Sequence, residues 1–354
     1  MKDAALSPTR ASGGAGRAAA GGGGVGGAGG VGGAVGVGHG GPVADARQPY
    51  EQAAGLLWAS PWLVGFALFM LAPIAMSIYY SFTDYPLIES PLWVGLANYE
   101  RLLSDERFWH ALKQTCVYAA LSIAGCVTLS LALALLLNQK VRFQAFFRAA
   151  VFLPTLVPLV ASSVVWTWLL NSEVGLINRV LGLTGLATLL DVAGLAPAGG
   201  PNWLLDSGWA MAALVLVTLW GVGQTVVIYL AALQDVPAQL YEAAAIDGMG
   251  PARTFFNVTL PMISPVVMFS VITLTIGAFQ VFVLPYVLFN APGTARGGPD
   301  QVGYFYTFYL YDTGFVYQQM GYASAMAWVQ AVLVMLLTGA TFWVSRRFVH
   351  QRSD

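Results

Sequence analysis

Residues 114–139 read QTCVYAALSIAGCVTLSLALALLLNQ, 26 positions without one Asp, Glu, Lys, Arg or His. At about 1.5 Å per residue, such a run as an α-helix exceeds the roughly 20 residues needed to cross the hydrocarbon core of a bilayer. Outward from it, residues 57–82, 149–172, 207–234, 254–295 and 313–345 are also free of Asp, Glu, Lys and Arg. The whole chain is 57% apolar and 9% charged, far below the roughly 25% charge of soluble proteins, so a soluble globule is excluded. The sequence predicts an all-α, polytopic membrane protein. Its six transmembrane helices are expected at 57–82, 115–137, 149–170, 209–233, 263–289 and 322–344. The fifth is expected to start with a break at Pro261 and Pro265. The run from Val180 to Leu190 has only eleven residues, too short to span, and is expected at the interface.

Trp58 and Trp62 at one end of the first span, with Tyr79, Tyr80 and Tyr85 at the other, match aromatic belts at both headgroup levels. Residues 1–55 form a separate head: 17 of the positions from Gly13 to Gly41 are glycine, with no aromatic residue before Tyr50. Such a tract has nothing to bury and is expected to be disordered. Residues 56–350 form the membrane domain and 351–354 a tail. Of the 16 Lys and Arg, 11 fall in the head, residues 138–148, 234–262 and the tail region. By the positive-inside rule both termini and residues 234–262 are cytoplasmic. Cys116 and Cys126 lie ten residues apart on one helix, about 15 Å, and cannot bridge.

The missing chemistry narrows the function. Lys2, Lys113 and Lys140 are the only lysines, and none stands in a phosphate-cradling Gly-x-x-x-x-Gly-Lys-Ser/Thr loop. His39, His110 and His350 have no metal-ligand spacing. The net charge of −1 has no basic stripe for nucleic acid. The six expected spans carry no ionisable relay. Such a protein is either a passive channel or secondary transporter for a small polar solute, or it takes its energy from a partner.

One cytoplasmic segment discriminates. Between Pro237, suited to a first helical turn, and Gly248, suited to a helix exit, lies a short helix of about ten residues. Leu240, Ala243, Ala244 and Asp247 share one face of it. The segment reads Glu242-Ala243-Ala244, three residues, Gly248, nine residues, Val258-x-Leu260-Pro261. It resembles the EAA loop of the permease subunits of binding-protein-dependent ATP-binding-cassette importers, with valine for the usual isoleucine at Val258. Val94-Gly-Leu-Ala-Asn98-Tyr, Gly175-Leu-Ile-Asn178 and Gly321-Tyr-Ala-Ser-Ala are similar to the carbohydrate-uptake branch, of the maltose and glycerol-3-phosphate type.

The resemblance implies a type I importer permease fold in a bacterial or archaeal cell membrane, with no catalytic or metal site of its own. It implies as partners a second permease subunit, two cytoplasmic ATPase subunits that bind ATP and Mg, and an extracytoplasmic solute-binding protein. Leu240, Glu242, Ala243, Ala244, Asp247, Gly248, Leu260 and Pro261 would couple to the ATPase, the two alanines by close approach and Gly248 and Pro261 as junctions. A sugar, polyol or sugar phosphate passing through the membrane needs neutral hydrogen-bonding groups and apolar faces. Gln224, Thr225, Thr273, Gln280, Asn290, Trp328 and Gln330 offer these. The same groups also serve as interhelical glue, at about 0.6 kcal/mol a pair. Tyr304, Phe305, Tyr306, Phe308, Tyr309 and Tyr311 are expected as an interfacial belt and docking edge.

Overall fold

The computed structural model describes residues 48–139, 142–197, 199–290 and 294–345. The glycine tract, the tail, Lys140, His39 and His350 lie outside the described residues. The chain divides into two compact units, 1–61 and 62–354, and the account below concerns the second. Helix α1 (Gln48–Phe66) passes through one π-turn, Ala67–Leu71, into α2 (Ala72–Ser81). The short antiparallel strands β1 (Thr83–Asp84) and β2 (Leu92–Trp93) follow, then α3 (Ala97–Ser104) and the long α4 (Glu106–Asn138). After α5 (Gln144–Phe152) and a 3-10 turn at Leu153–Leu156 come α6 (Leu159–Leu169) and a pair of short helices, α7 (Leu176–Leu183) and α8 (Leu186–Val192). Next are α9 (Ser207–Trp220), α10 (Gly223–Gln234), α11 (Ala238–Ile246) and α12 (Pro251–Thr254). A second π-turn, Phe255–Thr259, leads into α13 (Leu260–Phe279). The chain ends with α14 (Val283–Leu288), α15 (Tyr306–Tyr311), a third π-turn at Asp312–Val316, and α16 (Met320–Ser345).

Among the described residues, four continuous helical stretches are long and apolar enough to cross a membrane: Leu57–Ser81, Glu106–Asn138, Pro251–Phe279 and Met320–Val344. Two bent pairs raise the count to six when each is taken as one span: Gln144–Leu156 with Leu159–Leu169, turned by 101°, and Ser207–Trp220 with Gly223–Gln234, turned by 51°. α4 is central, packing on α9, α10 and α13, while α16 packs on α2 and α13.

Several boundaries differ from the sequence expectation, each for a local reason. The second span begins at Glu106, because the Asp105 side chain caps the helix by accepting from the Arg107 N–H at 3.0 Å. Neither Pro261 nor Pro265 breaks the span, which is one continuous stretch from Pro251 to Phe279. The Leu260 N–H bonds the Phe255 carbonyl, five residues back, so the widened π-turn takes up the crowding a proline imposes on the turn before it. Pro73 follows the first π-turn in the same way, the Ala72 N–H bonding the Ala67 carbonyl. The fifth span stops at Phe279, ten residues early, and α14 is a separate helix. The run 180–190 is divided between α7 and α8.

The aromatic stretch near residue 304 is core and not a belt. Tyr304, Phe305, Tyr306, Phe308 and Tyr309 are each at most 5% exposed, and Tyr304, Tyr306, Phe308 and Tyr309 pack with Leu102, Phe108, Tyr322 and Met326. Two motif asparagines are clamps. Asn98 donates to the carbonyls of Ser81 and Thr83, and Asn178 donates to Pro201 while accepting from Trp203 Nε1 at 2.7 Å. Cys116 is exposed and Cys126 buried, and both are free thiols.

Candidate functional site

Three helix interruptions meet around one cavity of about 460 Å3, within the range of small-molecule sites. At the first, Val157 precedes Pro158, and proline excludes its predecessor from helical geometry; Val157 is extended (φ −77°, ψ 127°). Pro154, Thr155, Val157, Leu159 and Ser162 from both sides of this break line the cavity. At the second, Gly221 and Val222 bend the fourth span, and Val217, Thr218, Trp220, Gly221 and Gln224 contribute. At the third, where α13 has ended, Val281 and Leu284 close the wall. Tyr118 of α4 completes the lining, its hydroxyl 2.8 Å from Thr218 Oγ1. The lining has hydroxyls, one amide and apolar faces, with no charged side chain. It can hydrogen-bond a neutral polar solute without the cost of burying an unpaired charge.

Of the residues expected along a substrate route, the structure brings Gln224 into this cavity. Thr225 is half-buried beside it but does not line the space. Thr273 is exposed and donates to the Phe269 carbonyl, Gln280 ends α13, and Asn290 follows α14; all three lie outside the lining, as does half-buried Trp328. Gln330 serves a different role: buried, it donates to the Phe279 carbonyl and to Thr307 Oγ1, fastening α16 to the end of the fifth span. Tyr118, Thr155, Ser162 and Thr218 were missed. Pro154 and Pro158, four residues apart inside an apolar run, were the available signal for the first break.

The second candidate element is α11. Pro237 precedes it and Gly248 ends it with φ +70°, where a side chain would be strained. The Met249 N–H bonds the Ala244 carbonyl at 2.9 Å and the Gly248 N–H bonds the Ala245 carbonyl at 3.1 Å, the two bonds of a Schellman cap. Tyr241 and Thr259 share a 3.3 Å hydroxyl contact that joins α11 to the second π-turn. The expected single face is divided. Ala244 is 2% exposed and packed by its own chain, whereas Leu240, Glu242, Ala243 and Asp247 are exposed, with Ile246 at 87%. Leu260 and Pro261 are half-buried within a continuous helix.

Two polar clusters near α15 also escaped sequence reading. Asp312, fully buried, pairs with Arg296 and accepts from Tyr304 OH at 2.8 Å. Asp312 raises the Arg296 pKa above its ordinary value, and burial, reinforced by Asp312, raises that of Tyr304. Asp105 accepts from the hydroxyls of Tyr309 and Tyr322. Burial raises its pKa, but those two bonds and the N–H groups of Arg107 and Phe108 outweigh it, leaving the carboxyl below its usual range.

Apolar spans interrupted around a neutral polar cavity define a polytopic membrane transport protein. The chain belongs to the family of binding-protein-dependent transport system inner membrane components, whose profile matches residues 126–350. Among curated relatives, the probable ABC transporter permease protein YesP of Bacillus subtilis is 32% identical over 305 residues, covering 86% of this chain and 94% of that protein. The lactose transport system permease protein LacF of Rhizobium radiobacter is 32% identical over 302 residues, covering 84% and 95%. Among solved structures, a bacterial ABC transporter involved in import of the acidic polysaccharide alginate superposes with a TM-score of 0.69 at 22% identity, covering 86% of this chain and 98% of its own. That likeness is one of fold, the type I importer permease. Broken spans occur in secondary carriers too, so family membership, and not the breaks, decides the class.

Proposed function

We propose that this chain is one permease subunit of an ATP-driven importer of a sugar or polyol, paired with a second permease and served by two ATPase subunits and an extracytoplasmic binding protein. The observation that carries the reading is the cavity at the three helix breaks, lined by Tyr118, Thr155, Ser162, Thr218 and Gln224 and by no charge. Such a lining favours a neutral sugar or polyol over a sugar phosphate. The names of relatives run the same way: lactose for LacF, and arabinooligosaccharides for AraP of Bacillus subtilis. The 11 to 5 distribution of basic residues supports termini and α11 on the cytoplasmic side.

In this reading α11 is where the ATPase acts. A nine-residue helix is marginal alone, but its Schellman cap closes its end and the Tyr241–Thr259 contact links it to the π-turn that opens into α13. Closure of an ATPase pair on the exposed Glu242, Ala243 and Ile246 would then move α11 and α13 together and reshape the cavity. The revised division of labour leaves Ala243 for close approach and gives Ala244 to internal packing.

The test is reconstitution with the co-encoded ATPase, second permease and binding protein, measuring uptake of labelled solute and stimulated ATP hydrolysis. Gln224→Leu should reduce uptake by about tenfold, the loss of one or two hydrogen bonds to solute, while the complex stays intact. Unchanged uptake in Gln224→Leu and in Thr218→Val together would refute this cavity as the route.

A further inference from the structure

A second opening, of about 260 Å3, lies between the C-terminal end of α4, α5 and α10. It sits at the end of the bundle from which α11 emerges, since Gln234, the last residue of α10, is on its rim. Leu137, Val151, Val227 and Leu230 form apolar walls, and Arg148 and Gln234 are the polar lining residues. Arg148 is poorly satisfied. Its Nε is shut off from solvent without a hydrogen-bond partner, and its Nη2 reaches only the Leu137 carbonyl, at 3.5 Å. That carbonyl already accepts a 2.7 Å bond from Gln144 Nε2, so the helix end does not depend on the guanidinium. Among the described residues the one ion pair is Arg296 with Asp312, and no carboxylate serves Arg148.

A buried cationic N–H without an acceptor is costly, and none of the described residues supplies Arg148 with a carboxylate. The groove's surroundings identify an acceptor. Leu136, Phe146, Phe147 and Val227 are exposed apolar side chains around the opening, as on a lipid-facing surface, and the opening lies where two spans end. Arg142, also exposed, adds positive charge just before α5. A cation at the mouth of an apolar groove at headgroup level is complementary to a lipid with a negative phosphate, and the guanidinium fork suits phosphate oxygens.

We propose that this groove holds one anionic phospholipid, with its phosphate on Arg148 and an acyl chain along Val151, Val227 and Leu230. The site is separate from the solute cavity and does not depend on which solute is carried.

The test uses the purified full-length chain in detergent, competed with phosphatidylglycerol and phosphatidylcholine and read by native mass spectrometry for retained lipid. A parallel arm measures thermal protection by inorganic phosphate. The wild type should retain one phosphatidylglycerol in preference to phosphatidylcholine. Arg148→Gln should weaken that preference about fivefold, the effect of one basic residue at an anionic surface. Arg148→Lys should keep part of it, and Val227→Trp, which fills the groove without touching the charge, should lower retention of both lipids. Equal retention of the two lipids by the wild type would overturn the proposal. So would an undiminished preference in Arg148→Gln, or, if that variant does not fold, undiminished retention of both lipids in Val227→Trp. Protection by inorganic phosphate with no retained lipid would replace the lipid by a soluble anion and also overturn it.

Discussion

Gly223 opens α10 immediately after the bend in the fourth span, where that helix crosses α5. A Cβ placed there would stand 2.4 Å from the Val151 carbonyl oxygen, 2.9 Å from Thr155 Cγ2 and 3.0 Å from Phe152 Cα. The threonine methyl can rotate away; the two backbone atoms cannot. Restoring ordinary contact of about 3.5 Å requires α5 and α10 to part by about 1 Å. Overpacking on this scale costs about 1–3 kcal/mol, and the gap opens between Thr155 and Gln224, which line the solute cavity. Gly221, two residues earlier, is the internal control: a Cβ there meets nothing closer than the Thr218 carbonyl at 3.5 Å, and its φ of −89° suits any residue. Gly221→Ala should therefore be neutral or slightly stabilising, through the reduced freedom of the unfolded chain. Thermal unfolding of both variants in one detergent should place Gly223→Ala lower by about 3 °C, taking about 2 kcal/mol and an unfolding entropy of about 2.1 cal/mol/K per residue over about 300 residues. Solute uptake should fall in Gly223→Ala. Indistinguishable melting of the two alanine variants would refute the close crossing of α5 and α10.

The remaining predictions concern the polar clusters and α11. Asp312→Ala should destabilise by about 2 kcal/mol, because buried Tyr304 loses its acceptor whereas the Arg296 side chain, 41% exposed, regains water; Asp312→Asn should lose about half as much, by the same melting assay. The Asp105 carboxyl is lowered in the folded protein, so its contribution is complete above the unfolded value near pH 4 and disappears as pH falls through the lower native value. Unfolding midpoints between pH 5 and 3 should thus fall more steeply for the wild type than for Asp105→Asn; parallel curves would sink the assignment. Ala243→Trp should leave the chain's own melting unchanged and reduce copurification of the ATPase. Ala244→Trp should destabilise the chain itself by about 1–3 kcal/mol, and reversal of that order would refute the assignment of faces on α11.

Charge-free runs were enough to locate four continuous spans and two bent helix pairs, because the bilayer imposes length and apolarity on each one separately. The ends of those spans were less legible. Asp105 extends α4 through Glu106, Arg107 and Lys113, charged residues that composition alone would assign to a loop. Pro154 and Pro158 stand at a break, whereas Pro73 and Pro261 follow turns widened to five-residue bonding and Pro61 and Pro265 are carried inside their helices without one. Gln224 was readable as a candidate from its Gly-Val-Gly setting, and it lines the cavity. Thr218 and Ser162 were not, since a hydroxyl in a span looks the same whether it faces a cavity or bonds its own helix. The aromatic run at 304–311 misled for a related reason: Tyr is favoured at headgroup level, but it also packs well in a core when its hydroxyl finds a carboxylate, and Asp105 is about 200 residues from the two tyrosines it serves.

The π-turn at Phe255–Thr259 has a consequence for numbering along the fifth span. Closing a ring over five residues instead of four adds one residue to the helix, and one residue turns an α-helix by about 100°. The side-chain phase of α12 therefore does not continue into α13: residues seven apart across Asn257, such as Arg253 and Leu260, belong to different faces, although an unbroken helix would stack them. Deletion of one residue within 255–259 would turn the widened ring into an ordinary turn and keep both flanking faces where they are. The same deletion at Ile272, in the middle of α13, would rotate everything that follows it.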